Sequence, residues 1–207
     1  MQYSDWYPVY RNILEDMGYS QNDDESSARL LKMIMCDHDL IDDDELETYI
    51  SENSTIYGGA YAGGSTPSGT VIATGASIPV LLSEGVVPDI IVTDLDGDLE
   101  SQKKASLLGS VTVMHAHGDN TEAIMEHAKD FQGKVILTTQ SRPDLIIYNF
   151  GGFTDGDRAV CLAKHFRSEF NLEGFDLDNA AVKDLSDPNV KNKKLQWAKR
   201  IIFELFP

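Results

Sequence analysis

The spacing of apolar residues changes period near residue 52. From Trp6 to Met17 the residues Trp6, Tyr10, Ile13, Leu14 and Met17 recur at helical spacing, with Pro8 placed in the first turn and Gly18 as the stop. A second helix is predicted over 24–36, with Ala28, Leu31 and Met35 on one face, and a third from Asp43 or Asp44 to about Ile50. Residues 1–52 are thus expected to form a helical N-terminal segment whose aromatic and methionine residues pack on the main domain. From about residue 53, short β-type runs alternate with helical stretches, the pattern of a largely parallel α/β sheet. Strands are predicted near 54–57, 70–73, 89–93, 111–114, 134–138 and 145–149, and helices near 77–84, 100–108, 120–131, 156–169 and 191–205. The expected fold is an open, mostly parallel Rossmann-like sheet with helices on both faces, residues 53–207 forming one catalytic domain.

Polar residues gather where these strands end. Thr74 and Gly75 follow the second, Asp94, Asp96 and Asp98 the third, and His115-Ala-His117-Gly-Asp119-Asn120 the fourth. Thr139-Gln140-Ser141-Arg142 follows the fifth, and Phe150 to Arg158 the sixth. In an open parallel sheet the carboxyl ends of the strands share one edge, where ligands bind. A single site built from five loops is expected.

Charge narrows the choice of ligand. The net charge of −17 argues against a nucleic-acid or anionic-membrane partner, and leaves room for a small phosphate compound if a metal and a few cations offset the field. The acidic runs Asp23-Asp24-Glu25 and Asp42 to Glu45 read as solvated helix starts. Cys36 and Cys161 have no metal-type spacing and read as buried free thiols in a reducing compartment. With no leader-like start and no apolar run near the ~20 residues of a membrane helix, a cytoplasmic protein is expected.

Asp94-x-Asp96-Gly-Asp98 places three carboxylates at alternate positions at the end of a buried strand. Such acids repel unless some keep their protons or a cation holds them, and a hard divalent ion such as Mg²⁺ shares its remaining sites with phosphate oxygens. A calcium loop is ruled out, because its twelfth position is Ala105. The stretch resembles the DxDG opening of haloacid-dehalogenase-type phosphatases, which would make Asp94 a nucleophile, but two strands precede it here; turn and cap aspartates are the plain alternative. His115 and His117 lack a third zinc ligand at a usual spacing. Asp119 with Glu122 also matches a capping box. In Asn149 to Arg158 the glycines Gly151, Gly152 and Gly156 permit close backbone approach, Asp155 and Asp157 suit a metal, a donor-rich heterocycle or a helix cap, and Arg158 suits a phosphate.

Taken together, five strings carry a family resemblance: Pro88-Asp89-Ile-Ile-Val-Thr-Asp94-Leu-Asp96-Gly97, His115-Ala-His117-Gly118-Asp119-Asn120, Thr138-Thr139-Gln140, Asn149-Phe-Gly-Gly-Phe-Thr-Asp155-Gly-Asp157-Arg158 and Lys191-x-Lys193-Lys194-Leu195. In this order, over about 70–200, they resemble the archaeal 6-hydroxymethyl-7,8-dihydropterin pyrophosphokinases. The resemblance implies the fold of the thiamine pyrophosphokinase catalytic domain, and Mg²⁺-dependent transfer of diphosphate from ATP to the pterin hydroxymethyl group with release of AMP, in folate or methanopterin synthesis. Related pyrophosphokinases imply a homodimer. The family's Ala-Asp-Gly-Ala turn reads Ala73-Thr74-Gly75-Ala76 here, and its Gly-x-Gly-Pro-Ser loop is reduced to a loose Gly58 to Ser65 stretch; these changes bear on the identity of the acceptor.

On this resemblance Asp94, Asp96 and Asp119 hold Mg²⁺, and Arg158 with Lys193 or Lys194 balances charge on the leaving AMP. Thr74, Gly75, Thr139 and Gln140 would meet the nucleotide. The pterin would stack on Phe150 or Phe153 and be matched by Asn120 or Asp155, with Asp98 or His117 available to take a proton. A DxDG-type phosphatase, a nucleotide-dependent transferase with another acceptor, and a nucleotide-sugar protein distantly similar to those of flagellin modification are the alternatives.

Overall fold

The computed structural model describes residues 2–178 and 188–206. Its strands are β1 (Asn53–Tyr57), β2 (Thr70–Thr74), β3 (Ile90–Thr93), β4 (Val111–Ala116), β5 (Val135–Thr139), β6 (Ile147–Tyr148) and β7 (Glu169–Glu173). They form one parallel sheet in the order β6-β5-β4-β3-β2-β1-β7. Both faces are covered, which is why the central strands read as unbroken apolar runs. Alternation sorts their side chains: Ile56, Ile72, Ile90, Val92, Val113 and Ile136 enter one core, and Tyr57, Ala73, Ile91, Met114 and Leu137 the other. At the entrance of β3 the Asp89 carboxylate accepts the Val71 amide at 2.8 Å, tying two strands at the Pro-Asp step.

The strand order decides which face each helix takes. Helices α1 (Tyr3–Met17), α2 (Gln21–Ile34) and α3 (Asp43–Glu47) precede the sheet, and α4 (Ile78–Ser83), α5 (Leu99–Leu107) and α6 (Thr121–His127) join β2 to β5. Because those strands step in one direction, right-handed crossovers put α4, α5 and α6 on a common face. Ile78, Leu81, Ala105 and Ile124 accordingly share the core that holds Tyr57 and Met114. The connection from β6 to β7 returns across the sheet, so α7 (Asp155–His165) lies on the opposite face with Ala159, Val160 and Leu162 buried. Helix α8 (Pro188–Arg200) continues through a wider turn at Ile201–Leu205; Trp197 and Ile201 meet Trp6, Tyr10 and Ile13 in a third cluster. No helix among the described residues is long and apolar enough to cross a membrane.

Several expectations change. Helix α7 stops at His165, and residue 169, predicted as its end, begins β7 instead. Arg167 takes φ 58°, a left-handed stop that no glycine or proline announces. Helix α1 starts at Tyr3 through a Gln2–Asp5 capping box, so Pro8 lies inside the helix on its exposed side, where water can meet the freed carbonyl of Ser4. Cys161 is buried, but Cys36 is exposed. As expected, helix α2 packs on the main domain: Ala28, Leu31 and Met35 lie in the same cluster as Met114 and Leu137.

Leu31 is fully buried at that seam. Leu31→Ala is expected to cost about 2–5 kcal/mol. Urea unfolding followed by tryptophan fluorescence, which reports on Trp6 and Trp197, and by circular dichroism should shift together; movement of one probe alone would show that the N-terminal helices unfold separately.

Candidate active site

The carboxyl ends of β3, β4 and β5 and the start of α7 surround a cavity of about 380 Å³. Asp94 and Asp96 reach it from one turn. Leu95, buried between them, adopts φ 65°, a left-handed conformation that costs a non-glycine residue about 1–2 kcal/mol. Hydrogen bonds hold the turn: Thr93 Oγ1 accepts the Leu95 amide at 2.9 Å and donates to Gln102 Oε1 at 2.6 Å, while Gln102 Nε2 donates to the Asp96 carbonyl at 2.6 Å. Helix α5 thus fixes the geometry of the aspartate turn.

The third carboxylate of the cluster is Asp155. One oxygen from each of Asp94, Asp96 and Asp155 lies within 4.8 Å of the others. Asp119, expected in that place, is exposed, lines the cavity beside Tyr19 and stands outside this trio. The Gly151–Gly152 reversal brings Asp155 in. A Cβ on Gly152 would lie 2.5 Å from Arg158 Cα, so only glycine lets this loop rest on the first turn of α7. Asp157 is the capping-box residue of that turn, its Oδ1 accepting from the amides of Phe153 at 3.0 Å and Thr154 at 2.5 Å.

Charge is distributed unequally over the trio. Burial raises the Asp94 pKa, but the His117 hydrogen bond and the Arg158 charge outweigh it and hold the group well below the ordinary carboxylate range. The negative charge of Asp94, then burial, lifts Asp96 to about 6. Burial first, and Asp94 second, pushes Asp155 well above the usual value. Arg158 is buried among them, with Nη1 3.1 Å from Asp155 Oδ1 and 3.7 Å from Asp94 Oδ2. Three carboxylates against one guanidinium leave a negative surplus that a divalent cation would cancel.

The donor set fits Mg²⁺. It consists of hard carboxylate oxygens without His or Cys, and Asp94 Oδ1 is buried with no hydrogen-bond partner among the described residues. His117 supports this set: its Nδ1 accepts the Asp119 amide at 3.2 Å, so the neutral ring carries its proton on Nε2, 3.3 Å from Asp94 Oδ2. Both ring nitrogens are engaged, which leaves His117 no lone pair with which to take a substrate proton. Asp98 lies outside the cavity lining and caps α5, accepting from Ser101.

The remaining expected residues divide. Phe153, Gln140 and Lys194 line the cavity, with Lys194 Nζ over the rings of Tyr19 and Phe153 at 5.8 and 5.9 Å. Lys193 turns away to pair with Asp16 at 2.9 Å. Phe150 lies on the other side of the glycine reversal, stacked on Tyr148 at 5.9 Å and edge-on to His165 at 4.9 Å, away from the cavity. The Asn120 amide is consumed internally, donating to the Asp94 and His115 carbonyls at 2.8 and 2.7 Å. Thr139 bonds Ser141, and Thr74 and Gly75 lie outside the cavity lining, although Gly75 backs onto Gln102 beneath the aspartate turn.

The N-terminal helices close the cavity with Gly18, Tyr19, Ser20, Asp23 and Asp24. Asp24 is no solvated helix start: it is 2% exposed and accepts from Tyr10 Oη at 2.6 Å, the Gly118 amide at 2.7 Å and Gln140 Nε2 at 2.9 Å. Its one sequence signal is its helical phase, four residues before Ala28 on the buried face of α2.

In the metal-free protein Asp96 is expected to titrate near pH 6. Because its folded pKa is raised, its contribution to stability is present below its unfolded value and is lost as pH rises through 6. Carboxyl ¹³C NMR checks this, with Mg²⁺ expected to move the midpoint down; a midpoint near the unperturbed value that ignores Mg²⁺ would contradict it.

Comparison with known proteins gives a consistent result. The family described as MptE-like, 6-hydroxymethylpterin diphosphokinase MptE-like, matches residues 65–181. Three proteins named 6-hydroxymethyl-7,8-dihydropterin pyrophosphokinase are similar over nearly the full chain. That of Pyrococcus furiosus is 36% identical, covering 97% of this chain and 89% of its own. That of Methanothermobacter thermautotrophicus is 37% identical, covering 98% and 94%. That of Methanocaldococcus jannaschii is 33% identical, covering 98% and 95%.

Proposed function

The chain belongs to the MptE-like 6-hydroxymethylpterin diphosphokinase family, and from that premise we propose that it is an enzyme transferring diphosphate from ATP to 6-hydroxymethyl-7,8-dihydropterin in archaeal folate or methanopterin synthesis. The observation that carries this reading at the site is the convergence of Asp94, Asp96 and Asp155 with the buried Arg158 in one cavity. Asp94, Asp96 and Asp155 would hold Mg²⁺, which when bound neutralises phosphate charge and orients the diphosphate for attack.

The acceptor hydroxymethyl oxygen attacks the β-phosphorus; the new O–P bond forms as the bond from that phosphorus to the α–β bridging oxygen breaks, and AMP departs with the electron pair. Phosphoryl chemistry of this kind asks the protein mainly for position and charge. Arg158 lies beside the carboxylates that would hold the metal, and it stabilises charge as the bridging oxygen is released. Lys194 adds a second cation at the cavity. Phe153 and Tyr19, 6.3 Å apart, offer aromatic surface for the planar heterocycle. His117 holds Asp94 in orientation, and the hydroxyl proton passes to water late in a loose transition state.

The same reading includes a cytoplasmic location, supported by the exposed free thiol of Cys36. It includes a homodimer, supported by the exposed Leu145 and Ile146 beside the two-residue edge strand β6.

Purified protein with ATP, Mg²⁺ and the pterin should release AMP and form pterin diphosphate in equal amounts, with no AMP when the pterin is omitted. Asp94→Asn should lower kcat by about 10³-fold or more, the order lost when a preorganised electrostatic group is removed. Inorganic phosphate released without acceptor would instead support a DxDG-type phosphatase.

A further inference from the structure

Among the described residues Arg158 has three side-chain acceptors in reach. Two are the carboxylates of Asp155 and Asp94, which a metal would claim during turnover; the third is neutral, Gln140 Oε1, 3.4 Å from Nη2. Gln140 therefore supplies the one acceptor on Arg158 that does not change its partner when substrate arrives. A side-chain amide has a donor end and an acceptor end, and only one orientation serves a guanidinium.

That orientation is set by Asp24. Its carboxylate is acceptor-only, so Gln140 must turn Nε2 toward it and Oε1 toward Arg158. A flipped amide would put oxygen against carboxylate and NH₂ against guanidinium, two repulsive contacts in a buried place. Asp24 cannot drift to relieve them, because the Tyr10 hydroxyl and the Gly118 amide hold both its oxygens at 2.6 and 2.7 Å. The Gln140 backbone is fixed too, its carbonyl accepting from Trp6 Nε1 at 2.9 Å and Asn149 Nδ2 at 3.0 Å.

We propose that Asp24 is a positioning residue for the transfer reaction: acting through the Gln140 amide, it holds the Arg158 guanidinium in place at the phosphate end of the cavity. This rests on the reading of Arg158 as the phosphate partner. The N-terminal helices thus belong to the catalytic apparatus without touching the reacting atoms.

Asp24→Asn tests it with little change of shape. The asparagine keeps an acceptor for Gly118 and presents NH₂ to Gln140, which turns the Gln140 amide around. In the full-length protein without substrate, arginine side-chain NMR should show the Arg158 Nη signals, assigned by their loss in Arg158→Lys, broadening toward free rotation, while Arg11, Arg29, Arg142, Arg167 and Arg200 keep theirs. Assayed well below the melting temperature, kcat should fall about 10–100-fold with the pterin KM nearly unchanged, the size expected of an outer-shell partner. In a Gln140→Leu background the same change should add almost nothing. Unaltered Arg158 signals, an unaltered kcat, or equal losses in both backgrounds would each overturn the proposal. If the wild-type protein makes no pterin-dependent AMP, the diphosphokinase reading fails separately and the NMR result alone decides the role of Asp24.

Discussion

Mutual repulsion among Asp94, Asp96 and Asp155 is the constraint on which the rest of the site depends. Carboxylate oxygens within 4.8 Å of one another repel when ionised, and the turns that carry them are held from several sides. Leu95 accepts a left-handed backbone between the first two, Gln102 ties the turn to α5, and the glycine reversal before α7 delivers the third. His117 and Arg158 then load their stabilisation onto Asp94, so that it ionises most readily while the pKa values of Asp96 and Asp155 are pushed up in the metal-free state. Strain and like charge at one place suit a site built to be completed by a cation and an anionic substrate.

The sheet supplies the rigidity this requires. Strands buried on both faces place the ends of β3, β4 and β5 side by side, and the long return from β6 to β7 sets the start of α7 over the same edge. The N-terminal helices close the remaining wall. Their attachment is polar as well as apolar: Leu31 and Met35 enter the sheet core, while Asp24 bonds the loops after β4 and β5 directly.

Much of this was legible in the residues. The change of period at residue 52 marks where the strands begin, the alternate aspartates after β3 point to the proposed metal-binding turn, and the clustering of polar residues after strands locates one edge as the site. What spacing does not contain is convergence between distant segments. Asp119 lies in the neighbouring loop and is expected in the trio, but the 3₁₀ turn at Gly118–Asn120 holds it at the cavity wall beside Tyr19, and Asp155 arrives from the start of α7. Phe150 and Phe153 look equivalent until the intervening glycines place them on opposite sides. Asp24 was hidden by composition, since one buried acid within an acidic run looks like its solvated neighbours. β7 was hidden because its preceding turn uses Arg167 where a glycine would have announced it.

The most direct measurement of the central claim is anomalous diffraction from crystals soaked with Mn²⁺ and a non-hydrolysable ATP analogue. A peak is expected within coordination distance of Asp94, Asp96 and Asp155, with the analogue's phosphates beside Arg158. A peak at Asp119 and Asp23 with the trio empty, or phosphates bound away from Arg158, would contradict it.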